Sequence, residues 1–225
     1  MANNIRHYLN VFLIILAKLY NSVIVAMTQT SWREAFNRLW EGYHPHWSPQ
    51  QALCGLLVVL AVLVVFLILH LLGKICFRQG LSAVVLTIYL TFVLGSTVFT
   101  RDPGQFRVPN FHFLWEYKRL LINQGVSFAK GIILNILMLL PVGLLLPVIL
   151  QKRFFLWPVF AGFGCSLAIE LMQYYFHCGM FELDDLLNNT LGGWIGYMIY
   201  WVVTWIPVFR KNRGEREYAA GRKIA

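Results

Sequence analysis

Apolar residues are concentrated in six long runs, and each run is close to the length of about 20 residues that a helix needs to cross a bilayer. The runs lie near residues 8–27, 52–73, 81–100, 131–150, 154–176 and 186–206. Backbone polar groups in lipid must find partners within their own segment, so these runs predict helices. The first run is the weakest, because Lys18 and Asn21 interrupt it, and it also fits an interfacial helix.

A different pattern lies between the first two runs. The sequence Ser31-Trp32-Arg33-Glu34 has the form of a capping box at a helix start. Trp32 shares one helical face with Phe36, Leu39 and Trp40. This segment, about 31–40, is predicted to be a short helix on the membrane surface.

The amino-acid composition excludes several classes of protein. Of the 225 residues, 58% are hydrophobic and only 13% are charged, which excludes a soluble domain and a disordered chain. Four scattered cysteines without a CxxC motif argue against a disulfide scaffold or a thiolate metal site. The prediction is an all-α polytopic transmembrane helix bundle of about six spans.

The formal net charge of +9 is distributed unevenly. Six of the 19 basic residues lie in the last 16 residues: Arg210, Lys211, Arg213, Arg216, Arg222 and Lys223. No aromatic residues alternate with these basic residues, so they favour anionic lipid headgroups over nucleic acid. The predicted organisation is N-terminal membrane segments at 1–80, a transmembrane domain at 81–206 and a basic cytoplasmic tail at 207–225.

Basic residues also set the predicted orientation. The turn Gln151-Lys152-Arg153 and the tail both carry positive charge, which predicts that they face the cytoplasm. The connection 177–185 would then face the outside.

Polar residues of the last four runs all fall near the predicted outer ends of their helices. Because polar groups at membrane depth need partners, we expect them to converge in one outward-facing pocket that binds a ligand. The predicted site consists of Arg101, Asn135, Glu170, Gln173, Asp184, Asp185 and Asn188. Arg101 is the natural counter-charge for the carboxylates.

Each acid in this set also has a structural interpretation. Glu170 and Gln173 lie on one helix face and could join helices through hydrogen bonds, while Asp184 and Asp185 could cap a first turn. Alternatively, Glu170, Asp184 and Asp185 are candidate catalytic acids or bases, and whether the protein is an enzyme stays open at this stage.

Metal binding is a further interpretation of the acidic residues in the same region. Glu170, His177, Glu182, Asp184 and Asp185 could supply ligands for Mg²⁺ or Ca²⁺, but their spacing matches no zinc motif. We expect no metal and no cofactor. The chain also contains no P-loop, no dinucleotide fingerprint and no G-x-S-x-G motif.

Two further features concern helix shape. Gly192, Gly193 and Gly196 would let another helix approach closely. Pro141 and Gly143 are predicted to break the fourth run at the middle of the membrane.

Three blocks in order resemble the VanZ-like family of bacterial membrane proteins. The first block runs from Asn135 through Pro141 and Gly143 to Pro147, and the second is Glu170-Leu-Met-Gln173. The third block begins with Asp184 and Asp185 and ends in Gly196-Tyr197. Two elements depart from the family pattern. Gly179 and Glu182 stand where it usually has arginine and aspartate, and Asn110-Phe-His-Phe stands for N-x-x-P-F.

The resemblance implies a multi-pass protein of the bacterial inner membrane that supports resistance to teicoplanin-type glycopeptide antibiotics. It would bind or alter a lipid-linked cell-wall component, such as a peptidoglycan precursor, or the antibiotic itself at the outer leaflet. The alternative is a membrane enzyme or flippase that acts on a lipid-linked substrate through the carboxylates and Arg101. Expected partners are membrane lipids and one of these ligands, without nucleic acid.

Overall fold

The computed structural model describes residues 2–29, 37, 45–104, 109–122, 125–152 and 154–221, and its regular structure is helical. In the described part of the chain seven helices follow one another: α1 Ala2–Gln29, α2 Pro49–Leu71, α3 Phe77–Leu94, α4 Trp115–Leu121, α5 Gly125–Leu150, α6 Leu156–Tyr175 and α7 Leu183–Gly221. Within the described residues there is no strand, and one isolated parallel bridge joins Asn110 to Glu182. The predicted all-α fold is confirmed.

Among the residues that the structure describes, four helical segments are long and apolar enough to cross a membrane: Pro49–Leu71, Phe77–Phe99, Ala129–Leu150 and Leu156–Tyr175. They correspond to the second to fifth predicted runs, and the protein is a membrane protein. The first and sixth predicted runs lie within α1 and α7, which are helical but are not among these four, so the count of six stays a prediction. The predicted surface helix at 31–40 lies outside the described residues, apart from residue 37.

Side chains on the outer faces of these helices are suited to lipid. Leu56, Val64 and Leu67 of α2 are exposed, as are Phe160 and Phe163 of α6. Because these exposed side chains are apolar and belong to membrane-spanning helices, they contact lipid.

Helices α2 and α3 are joined at one end of the bundle. Ser48 accepts a hydrogen bond from the Gln51 backbone in a capping box, and the Gln51 side chain donates to the Phe99 carbonyl at 2.7 Å. Phe99 ends a π-helical turn, Gly95–Phe99, that follows α3. Gly95 packs against Trp47, since a Cβ there would lie 2.2 Å from the indole ring. Such π turns widen a helix locally and often occur at functional sites.

Helix α5 is continuous through Pro141 and Pro147, so the predicted break is wrong. A proline inside a membrane helix removes one backbone hydrogen bond, and neighbouring helices can compensate for that loss. Here Tyr89 of α3 donates its hydroxyl to the Met138 carbonyl at 2.7 Å, next to the Leu137 carbonyl that Pro141 leaves without its helical donor.

Helices α5 and α7 pack with their backbones in close contact. A Cβ at Gly192 would lie 2.0 Å from the Ile136 carbonyl oxygen, and one at Gly196 would lie 2.0 Å from the Leu140 oxygen. This contact agrees with the small-residue face expected from the glycines. It fixes the start of α7 beside the first half of α5.

Helix α1 lies against α5 and α4. Ile15 and Leu19 pack on a cluster that includes Leu120 and Ile132. Lys18, the residue that weakens the first run, donates its ammonium group to the Leu120 and Leu121 carbonyls at 3.0 and 2.9 Å. A cation at the carboxyl end of a helix is favourable, so Lys18 stabilises the end of α4.

Candidate functional site

A polar cavity of about 160 Å³ lies where the π turn after α3, helix α5, the end of α6 and the start of α7 meet. Its lining consists of Thr97, Arg101, Asn135, Met138, Ile169, Glu170, Gln173, Gly179, Met180, Glu182 and Asp185. Five of the seven predicted site residues therefore line one cavity: Arg101, Asn135, Glu170, Gln173 and Asp185.

Helix α6 contributes Glu170 and Gln173 from its last two turns. Glu170 is only 1% exposed, and its Oε2 accepts the backbone N–H of Glu182 at 2.9 Å. Gln173 donates its side-chain amide to the Thr97 carbonyl in the π turn at 3.1 Å. Both residues thus join helices, as the structural interpretation proposed, and both also line the cavity.

Helix α7 contributes Asp185 from its first turn. The Asn135 amide of α5 donates to Asp185 Oδ1 at 2.5 Å. The carboxyl groups of Asp185 and Glu170 also lie close enough to interact directly. Two carboxyl groups from different helices therefore face each other in this cavity.

Arg101 is exposed and donates its Nε–H to the Ser96 carbonyl at 3.3 Å. The predicted counter-charge thus lies at the accessible mouth of the cavity, whereas the carboxyl group of Glu170 is buried. The carboxyl groups are contacted instead by the Asn135 amide and a backbone N–H.

Asp184 and Asn188 do not line this cavity, whereas the sequence predicts one pocket for all seven residues. Asp184 is 3% exposed and accepts the backbone N–H groups of Leu114 and Glu116 at 2.6 and 2.7 Å. It therefore caps α4, not its own helix. Asp185, the next residue of α7, points about 100° away from Asp184 and lines the cavity.

Asn188 lies four residues after Asp184 and shares its face of α7. Its side chain accepts the Tyr117 hydroxyl and donates to Glu116 Oε2 at 3.1 Å. Both residues therefore belong to a second polar cluster, formed by Asp184, Asn188, Glu116 and Tyr117, which holds α4 against α7.

Glu116 is the main residue that sequence reasoning missed. It is 9% exposed, and the pKa of its carboxyl group is raised to about 8 by burial and by the nearby charges of Asp185, Glu182 and Asp184. Burial and the neighbouring acids Asp184 and Glu116 also raise the pKa of Tyr117 to about 12. A single acid in a short connecting segment gives no periodic signal, and only the fold brings it to the site.

Three carboxyl groups near the cavity could together hold a cation. One oxygen each from Glu116, Glu182 and Asp185 lies within 4.8 Å of the others. Oxygen ligands of this kind suit Mg²⁺ or Ca²⁺. The set includes Glu116, which was not foreseen, and omits the exposed His177. The expectation that no metal binds stays a prediction.

The segment before α4 is attached to the segment before α7. Asn110 donates its backbone N–H to the Phe181 carbonyl at 2.8 Å and accepts from Leu183 at 3.4 Å. Its side chain donates to Glu182 Oε1 at 3.4 Å. Asn110 begins one of the two elements that depart from the family pattern and Glu182 belongs to the other, and the two residues contact each other beside the cavity.

These features define a class of protein: a helical membrane protein with a buried polar cavity at one end of its apolar helices. The VanZ/LLP1 family model matches residues 56–204, about two thirds of the chain, and the protein belongs to this family. Protein VanZ of Enterococcus faecium is 31% identical over 125 residues, which cover 53% of this chain and 73% of that relative. No solved structure matches the chain.

All seven predicted site residues lie inside the matched range. The match begins at residue 56, within α2, and the start of the transmembrane domain at 81 stays a prediction.

Proposed function

We propose that this protein supports resistance to teicoplanin-type glycopeptide antibiotics from the bacterial inner membrane. The observation that supports the proposal most directly is the polar cavity at one end of the apolar helices, placed within the VanZ/LLP1 match. In this proposal the cavity binds a lipid-linked cell-wall component or the antibiotic at the outer leaflet.

The proposed orientation follows from the two ends of α6. Its 20 residues separate the turn at 151–155 from the connection at 176–182 by about 30 Å. Lys152 lies in the first of these, and Lys74 lies in the neighbouring turn, where the Gln151 side chain donates to Cys76 Sγ at 3.3 Å. The end that carries Lys74, Lys152 and the predicted basic tail at 207–225 would face the cytoplasm, and the cavity end would face the outside.

Expression in a teicoplanin-susceptible Gram-positive host tests the proposal. The full chain should raise the minimal inhibitory concentration of teicoplanin more than that of vancomycin, relative to an empty vector. Asp185→Ala and Arg101→Ala should each abolish the increase at equal membrane levels, because both side chains line the cavity. Asp102→Ala is the matched control, since Asp102 is exposed and lies outside the lining. Full resistance in both cavity variants would contradict the proposal.

The second candidate is an enzyme or flippase, and the facing carboxyl groups of Glu170 and Asp185 favour it. Glu170→Gln keeps the size of the side chain and an oxygen that can accept the Glu182 N–H. Catalysis by this acid should therefore be lost in Glu170→Gln, whereas a purely structural hydrogen bond should largely survive. The minimal inhibitory concentration of teicoplanin in cells with Glu170→Gln distinguishes a catalytic Glu170 from a purely structural one.

A further inference from the structure

The cavity has acidic groups and a basic group at different depths. Glu170 is almost completely buried, and Glu182 and Asp185 are partly buried. Arg101, which among the described residues is the one cationic residue of the lining, is exposed at the mouth. A ligand that complements this arrangement carries a positive group at its inner end and a negative group nearer the surface.

Hydrogen-bond chemistry indicates which positive group the ligand carries at its inner end. Carboxyl oxygens of Glu170, Glu182 and Asp185 and the side-chain amides of Asn135 and Gln173 line the cavity. Such oxygens accept hydrogen bonds, and a primary ammonium group offers three N–H donors. Charge-assisted bonds of this type are the stronger ones, so a primary ammonium fits better than a quaternary one, which has no N–H.

The size of the cavity limits the ligand. An engineered protein cavity of about 150 Å³ accommodates one benzene molecule, and this cavity measures about 160 Å³. It therefore admits a small headgroup and is too small for a disaccharide.

The surroundings of the mouth indicate where the ligand comes from. Tyr175 and Phe176 follow the last turns of α6 and are 76% and 47% exposed, with their rings in edge contact. Met180, which lines the cavity, is also exposed. Exposed aromatic residues at the end of a membrane helix are typical of headgroup depth. A lipid headgroup would meet the cavity directly.

We propose that the cavity binds a primary ammonium group carried beside a phosphate, which is the chemistry of a phosphoethanolamine lipid headgroup. The ammonium group lies among the carboxyl groups of Glu170, Glu182 and Asp185, and the phosphate lies at Arg101. This inference rests on the proposed function, because it takes the cavity as the ligand site, and it names the chemistry of the ligand.

The test uses the full-length protein, purified in detergent and freed of lipid. Titration with 1-palmitoyl-2-oleoyl phosphatidylethanolamine, phosphatidylcholine or phosphatidylglycerol is followed by tryptophan fluorescence. Phosphatidylethanolamine should bind at least about tenfold more tightly than phosphatidylcholine. Asp185→Asn and Glu170→Gln should each reduce this ratio to below about threefold, because each removes a carboxyl partner. Arg78→Gln, at the other end of the bundle, should keep the ratio.

Equal affinity for the two zwitterionic lipids, or tightest binding of phosphatidylglycerol, would overturn the inference. So would a preference that persists in both cavity variants. If the variants do not fold, N-methylated phosphatidylethanolamines answer the question on the unmodified protein, because affinity must fall with each N–H removed.

A competition experiment identifies the source of the headgroup. Failure of soluble phosphoethanolamine to displace the bound lipid at equal concentration supports a membrane lipid as the source. Equal displacement would overturn the lipid source. Headgroup selectivity without antibiotic resistance in cells would contradict the proposed function and leave this inference standing. Antibiotic resistance without headgroup selectivity would contradict this inference and leave the proposed function standing.

Discussion

Replacing Gly192 by alanine tests how closely α5 and α7 must approach. The added Cβ would lie 2.0 Å from the Ile136 carbonyl oxygen, whereas an ordinary contact begins at 3.4 Å. The two helices must therefore separate by about 1.4 Å, because a backbone carbonyl cannot rotate away as a side chain can. Overpacking of this kind costs about 1–3 kcal/mol, and we expect the upper end because Gly196 shares the same contact.

The matched control is Gly164→Ala on α6. Gly164 is exposed, and among the described residues no atom lies within 4 Å of its added Cβ. Alanine is the better helix former by about 0.5–1 kcal/mol, so this variant should be as stable as the unmodified protein or slightly more stable.

Unfolding in mixed detergent micelles, followed by circular dichroism, measures both effects. The free energy of unfolding should fall by about 3 kcal/mol for Gly192→Ala and should not fall for Gly164→Ala. Helix separation should also weaken the bond between Asn135 and Asp185, which joins the same two helices. A loss of less than about 0.5 kcal/mol in Gly192→Ala would refute the close contact as a determinant of stability.

Two further predictions concern the cluster around α4. The pKa of Glu116 is raised from 4.5 to about 8, mainly by burial, so the folded state binds more protons than the unfolded state between these pH values. The free energy of unfolding should therefore fall as the pH rises from 5 to 8, by at most about 4 kcal/mol. Glu116→Gln should flatten this pH dependence, and an unchanged pH dependence in the variant would contradict the prediction. Asp184→Ala should lower the free energy of unfolding by about 2 kcal/mol in the same micelle assay, because it leaves the Leu114 and Glu116 N–H groups without their acceptor. A loss no larger than that of Asp102→Ala would show that this cap contributes nothing.

Much of the site follows from the sequence because helical membrane segments offer few ways to satisfy polar groups. Asn135, Glu170, Gln173 and Asp185 fall near the same predicted depth on three runs, and lipid offers them no partners. Their convergence is therefore the expected solution, and the structure has it. Arg101 was placed at the correct end but lies at the mouth, because a guanidinium group on a loop can remain in solvent.

The errors have equally specific causes. Asp184 and Asp185 point about 100° apart on α7, and the group that binds Asp184 outside the cavity, the start of α4, lies 70 positions earlier in the chain. Glu116 could not have been placed, since its position depends on the bridge between Asn110 and Glu182, a contact between residues 72 positions apart. The continuity of α5 through Pro141 likewise depends on neighbouring helices, which a local rule cannot include.

The central claim is that the cavity opens to the outside of the cell. In a variant with Cys54, Cys76, Cys165 and Cys178 replaced by serine, single cysteines are introduced at Met180, beside the cavity, or at Lys152, at the other end of α6. Intact cells are then treated with a membrane-impermeant maleimide. The account predicts that Met180→Cys is labelled and that Lys152→Cys is labelled only after the cells are opened. Labelling of Lys152→Cys alone in intact cells would place the cavity on the cytoplasmic side and contradict the account.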